Sequence, residues 1–370
     1  MRGVFGSLLA RLEAGDRSLK RADFEALSDL SRAELEDFRG HWSQASPAAK
    51  LGLVSALAQM ALDCFEYNFD RIFRLGLQDS DAAVKIKSIQ GLWENEDPTL
   101  AGAYLRMVKH DADQGVRAAA AEALGRFVYL AELEEIDANL ANAIETTLLT
   151  IIHNPAEPLE LRRRAIEAVG FSCDPEVPAI LREAYQNEDA GLKVSALIAM
   201  GRSADRRWRK IVLREVESPD DRIRLEAVKA CGELEMQEAV PALTRIIDRD
   251  DDLQIRRAAV YALGQAGGAP ARRVLERIID EEDMLLYDAA QDALEELIFG
   301  EECPEIIELL RQAGGTDDEL VEEVPFSDDD EDEDEEEYPR GEWDDDLSDP
   351  FGDWEEDDEW EDEEEGEDEE

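Results

Sequence analysis

Apolar and small residues recur along this chain on a helical beat. Taking Val84, Val116, Leu161, Leu192, Ile223, Ile255 and Leu286 as starting points, the intervals are 32, 45, 31, 31, 32 and 31 residues. A period in that range is the signature of a stacked-repeat architecture. Counting each start as position zero, position 4 is small: Ser88, Ala120, Ala165, Ala196, Ala227, Ala259 and Ala290. Position 7 is small again (Gly91, Ala123, Ala168, Ala199, Ala230, Ala262, Ala293), and position 8 is apolar (Leu92, Leu124, Val169, Met200, Cys231, Leu263, Leu294). Positions 0, 4, 7 and 8 form one face of an α-helix, so each unit predicts a helix with one buried stripe.

Punctuation follows the same beat. Position 9 is glycine at Gly125, Gly170, Gly201, Gly232 and Gly264, which predicts a left-handed helix cap there; the first and last units carry Trp93 and Glu295 instead. An aspartate stands three residues before most starts (Asp81, Asp113, Asp189, Asp220, Asp252, Asp283), with Pro158 the exception. Those aspartates predict N-caps. Position 1 is basic at Lys85, Arg117, Arg162, Lys193, Arg224 and Arg256, close enough to pair with the capping aspartate or to bridge to the next unit's. Between units a second helix is expected, with Pro178 and Pro241 in its first turn. The second unit carries about fourteen extra residues after Phe127, read as a longer excursion between helices.

This pattern, Asp-x-x-Val-Arg-x-x-Ala-x-x-Ala-Leu-Gly, resembles HEAT repeats, specifically the short phycobilin-lyase-like variety. The resemblance implies an all-α fold, a right-handed α-solenoid of helix pairs, with the Val-Arg helices lining its concave side. Three regions follow. Residues 1–80 read as an N-terminal helical cap, with Ser31 and Glu34 forming a capping box and a degenerate repeat from Ser46. Residues 81–315 are the repeat array. Residues 316–370 have the composition of a disordered acid-aromatic tail.

Charge sharpens that division. Of 370 residues, 93 are acidic and 39 basic, a net charge of -54. From Asp317 onward there are 35 acidic residues and one basic, Arg340, leaving an excess of 20 acids before it. Such a field repels phosphate backbones and anionic membranes and favours basic proteins, so neither nucleic acid nor membrane is an expected partner. The opening residues lack the apolar run of a signal peptide, and Cys64, Cys173, Cys231 and Cys303 form no close pair, which points to a reducing cytoplasm.

Candidate chemistry is sparse. His41, His110 and His153 all fall near expected helix ends, and no His-Glu dipeptide occurs, so the di-iron site of deoxyhypusine-hydroxylase-like HEAT proteins is not expected. No catalytic, metal or cofactor residues are identified, and no cofactor is expected. Two surfaces stand out instead. Val194, Ile198, Leu225 and Tyr261 occupy outward positions of the fourth to sixth units, an apolar strip where a polar face is expected. In the tail, Trp343, Phe351, Trp354 and Trp360 interrupt the acidic run and suggest a recognition element. Arg206, Arg207, Arg209 and Lys210 form the most basic internal stretch and a candidate dock for that tail, while Trp208 among them reads as core, in the slot that Val177 fills one unit earlier. The expected function is a non-enzymatic protein-interaction scaffold or adaptor for partners with basic or apolar-helix features. A phycobilin-lyase-like chromophore or cofactor handler, or a chaperone of basic proteins acting through the tail, are the alternatives.

Overall fold

A computed structural model describes residues 4–302, apart from 15–18, 65 and 282–283. These residues belong to one compact unit, Met1–Asp317; the second unit, Asp318–Glu370, and the tail residues named above lie outside the described residues. Every regular element among the described residues is helical. Three helices come first: α1 (Val4–Glu13), α2 (Arg21–Leu27) and α3 (Arg32–Trp42). Helices α4 (Pro47–Asp63), α5 (Asp70–Gly76), α6 (Ala82–Gly91), α7 (Pro98–His110), α8 (Gln114–Glu132) and α9 (Ala138–His153) follow. The remainder are α10 (Leu159–Ala168), α11 (Val177–Gln186), α12 (Ala190–Arg202), α13 (Arg209–Glu215), α14 (Asp221–Glu233), α15 (Val240–Arg249), α16 (Leu253–Ala266), α17 (Gly268–Asp280) and α18 (Tyr287–Glu302).

From α4 to α18 the even-numbered helices stack one on the next, and each odd helix from α5 packs on the even helix that follows it. This is an α-solenoid. The stripe explains it: all seven residues at position 0 and all seven at position 4 are buried. Small residues at position 4 let neighbouring backbones approach, and the apolar ones at 0 and 8 fill the space between them.

Each start is set by its cap. Asp81, Asp113, Asp189, Asp220 and Asp252 accept hydrogen bonds from the first free backbone N–H groups of α6, α8, α12, α14 and α16. Pro158 precedes α10 without a side-chain cap, and Asp283 lies outside the described residues. Ser31 and Glu34 close a capping box at α3. Pro178 and Pro241 stand in the first turns of α11 and α15.

The position-9 glycines are not left-handed caps: Gly125, Gly201, Gly232 and Gly264 lie within α8, α12, α14 and α16, and Gly170 lies in the short 3-10 turn that follows α10. None of the five has a positive φ; the left-handed residues come later, at Glu134, Ala204, Glu235, Gly267 and Gly268. Their role is lateral. A Cβ built on Gly170 would lie 2.6 Å from the Ala199 Cα, and on Gly264 2.7 Å from the Ala293 carbonyl oxygen. On Gly125, Gly201 and Gly232 it would meet the Cα of Ala168, Ala230 and Ala262 at 3.2, 3.2 and 3.0 Å. Each glycine therefore seats the position-7 alanine of the next unit. Only two small residues allow two even helices to come that close.

The extra residues of the second unit also fold differently from the expected excursion. They form no loop; they lengthen α8 and α9 to 19 and 16 residues, with a short connection between them.

The basic residue at position 1 bridges units, but not to the capping aspartate, whose carboxylate is turned onto its own helix. At Lys85 and Arg224 it reaches the acid two residues earlier, whereas Arg117 pairs with Glu157 and Lys193 with Glu215. Lys85 pairs with Asp111 at 2.6 Å and Arg224 with Asp250 at 2.6 Å. Lys50, at the equivalent place in α4, pairs with Asp79 at 2.7 Å. These acids also accept the backbone N–H of the capping aspartates Asp113, Asp252 and Asp81. Arg117, Arg162 and Arg256 donate to the carbonyls of Val108, Ile152 and Ile247 at the ends of α7, α9 and α15. Burial raises the affinity of Asp79 and Asp250 for a proton, but their Lys50 and Arg224 partners and the backbone N–H bonds outweigh it, leaving both below the usual carboxylate range.

Candidate binding surfaces

Helices α12, α14 and α16 carry the apolar strip. Val194, Ile198 and Leu225 are half-buried, Val194 and Leu225 resting against the core, whereas Tyr261 is 43% exposed. Neighbouring helices thus cover part of the strip and leave its Tyr261 end open.

The basic stretch is dispersed by its own fold. Arg209 is half-buried and donates to the Leu234 carbonyl at 2.9 Å, with Glu238 at 3.3 Å. Arg207 pairs with Asp205, while Arg206 and Lys210 are exposed. Trp208 is core, 2% exposed, with the Arg182 guanidinium 5.6 Å from its ring centre.

Two adjoining clefts lie where the repeat grammar fails. In later units a position-9 glycine covers the next position-7 alanine; in the first, Trp93 replaces it and Ala123 stays partly open. The result is a cleft of about 420 Å³ lined by Leu92, Trp93, Ala123, Phe127, Phe171 and Arg202, among others. Trp93 is 51% exposed. The extra turns of α8 place Tyr129 against Phe171, ring centres 5.5 Å apart, and the Arg202 guanidinium lies over the Phe171 ring, 5.2 Å from its centre. Tyr104 also lines this cleft; it is 1% exposed and its hydroxyl has no hydrogen-bond partner.

A smaller cleft of about 190 Å³ shares Trp93 and Asn95 with the first and is otherwise lined by residues such as Tyr67, Asp70, Phe73 and Glu94. Asp70 accepts a hydrogen bond from the Asn95 amide and lies within ion-pairing distance of no described cation. Burial holds its carboxyl above the usual range, against the smaller opposing effects of Asn95 and Arg74. Arg74, the nearest base, is committed to Asp97 and Thr99. None of this was legible in the chain before folding, because the clefts join α5, α6, α7 and α8 with the turn after α10. The one local signal was Trp93 in a glycine slot.

A HEAT-repeat family profile matches residues 209–295, which run from α13 into α18. Residues 209–295 are HEAT repeats. The match is to HEAT repeats at large and does not single out the phycobilin-lyase-like variety. No curated protein matches the sequence. Among solved structures, human deoxyhypusine hydroxylase in complex with glycerol aligns at 16% identity and TM-score 0.32, over 80% of this chain and 96% of that one. Importin beta aligns at 19% identity and TM-score 0.36, over 85% and 43%. An engineered protein aligns at 17% identity and TM-score 0.35, over 53% and 97%.

Several titratable groups of the described repeats are engaged in structure. His41, His110 and His153 stand in the last turns of α3, α7 and α9, where a cation favours the helix dipole. Among the described residues no cluster of His, Cys, Asp or Glu has the geometry of a metal site, and no helix is long and apolar enough to cross a membrane. Burial pushes the Cys231 thiol up to about 12, so it stays protonated. Glu167, 1% exposed, is fully engaged by Ser195 at 2.6 Å and Arg164 at 2.8 Å.

Proposed function

We propose that this protein is a cytoplasmic, non-enzymatic scaffold or adaptor that binds other proteins through its solenoid, with the acid-aromatic segment carrying Trp343, Phe351, Trp354 and Trp360 as a second recognition element. The observation that carries this reading is the strip ending at Tyr261. The buried stripe of α16, with Ile255, Ala259, Ala262 and Leu263, serves the stack, so the 43% exposed Tyr261 is not needed to build the array; Val194, Ile198 and Leu225 are half-buried at the corresponding outward positions of α12 and α14. Aromatic residues at such places are the usual anchors of interfaces. The net charge of -54 favours basic partners and speeds their encounter.

Changing Ile198 and Tyr261 together to Glu tests this. Affinity purification from native cells, with quantitative mass spectrometry, compares the double variant with the unaltered chain. Specific partners should fall at least tenfold, about 1.4 kcal/mol, while circular dichroism stays unchanged. Equal recovery of every partner contradicts the reading.

A further inference from the structure

The paired clefts at Trp93 have a chemistry that the scaffold role does not yet use. The geometry points to a recognition site for a basic-hydrophobic peptide, with a lysine or arginine side chain held in the smaller cleft between Tyr67, Trp93 and Asp70, and an adjacent apolar side chain in the larger cleft against Phe171. As a peptide site, it rests on the protein-binding role proposed above, but at residues separate from the Tyr261 strip.

Three independent observations converge on this occupant. The first is the carboxylate: Asp70 is half-buried, hydrogen-bonded only by Asn95, and without a cation partner among the described residues. A partly desolvated carboxylate with no direct ion pair is costly, and an incoming ammonium or guanidinium relieves that cost. The second is the aromatic lining. Trp93 stands 51% exposed at the wall shared by both clefts, and Tyr67 lines the same small cleft. A cation over such rings gains about 0.5–2 kcal/mol, more as water is excluded. Glu94 lines the same cleft and adds to the negative potential that draws a base.

The third observation is the Tyr104 hydroxyl. It is buried, lacks any partner, and belongs to the lining of the larger cleft. The hydroxyl itself is enclosed, so a peptide carbonyl in the cleft would accept its hydrogen bond only with a shift of the Tyr104 ring. The larger cleft, with Phe127, Phe171 and Leu92, is apolar enough to take an aromatic or branched side chain. At about 190 Å³ the smaller cleft has room for one extended basic side chain and no more. An acidic peptide is disfavoured by the 20-acid excess before Asp317.

The test uses the full chain with every tryptophan replaced by 5-fluorotryptophan. Its fluorine resonances for Trp42, Trp93, Trp208, Trp343, Trp354 and Trp360 are assigned by single Trp→Phe variants. The probes are acetylated, amidated Phe-Lys, Phe-Gly-Lys and Phe-Gly-Gly-Lys peptides at millimolar concentration and physiological salt. At least one spacing should shift the Trp93 resonance along a saturable curve while Trp42 and Trp208, both buried, stay fixed. Replacing the peptide lysine by norleucine, or Asp70→Asn in the protein, should weaken that binding about tenfold. Aromatic contact alone, with norleucine or Asp70→Asn binding as tightly, overturns the site. So do peptides that shift only Trp343, Trp354 and Trp360; the scaffold reading then survives with its binding in the C-terminal segment. The scaffold reading itself fails only if the Ile198 and Tyr261 double variant retains every partner.

Discussion

The stack from α10 to α18 and the junction around α6 and α8 are built from one sequence grammar, yet one is closed and the other is cleft. In the first, Gly170, Gly201, Gly232 and Gly264 lie against Ala199, Ala230, Ala262 and Ala293, and the helices meet backbone to backbone. At the junction, Trp93 occupies the glycine slot, α8 runs on for two extra turns, and Ala123 is left as cleft lining. The lesson is that a repeat's binding capacity can come from a single broken position. The grammar builds shape, and its exception leaves room.

The acids of the two regions show the same contrast, and substituting them separates structural from spare charge. Asp250 belongs to the closed stack: its side chain is 6% exposed, paired with Arg224, and below the usual carboxylate range. Asp250→Ala removes the more buried of the two carboxylate partners of Arg224, which keeps Asp221 and the Ser218 carbonyl, and should cost about 2 kcal/mol in thermal or urea unfolding. Because its folded-state pKa is depressed, its contribution is complete above the ordinary carboxylate pKa. It is lost as the pH falls through the folded value. The gap between the variant and the unaltered chain should therefore close in acid.

A smaller change of opposite sign is expected at Asp70. Its pKa is raised by burial, so its carboxylate works against folding at neutral pH and ceases to do so once protonated. Asp70→Asn should raise the melting temperature at pH 7 by a few degrees, and the gain should vanish below the ordinary carboxylate pKa.

The sequence made local features legible and hid contacts between units. Capping aspartates could be read because an N-cap involves one residue and the next two or three; the helix-end histidines and the burial of Trp208 could be read for similar reasons, from position in the repeat. The glycines were misread as left-handed caps because glycine serves both such caps and close approach, and only the neighbour's alanine, 2.6–3.2 Å from where a Cβ would stand, decides between them. The ladder was legible in outline, but at Lys85 and Arg224 its acid sits two residues from the expected one because the capping carboxylate is already engaged. Of the proposed strip, Tyr261 is as open as its position implied, whereas Val194 and Leu225 are partly covered by neighbours no periodicity could place.

The central claim is that the small residues at positions 7 and 9 set the distance between successive units. Melting temperatures of single glycine-to-alanine variants test it most directly. Gly170→Ala and Gly264→Ala press a methyl into neighbouring backbone and should destabilise most, by about 1–3 kcal/mol. Gly201→Ala and Gly232→Ala also meet a movable Glu233 or Gln265 tip and should cost less than these, and Gly125→Ala least. Gly52→Ala, in open space on α4, should instead stabilise by up to about 1 kcal/mol. A uniform effect at all six positions, whatever the neighbour, would contradict the account.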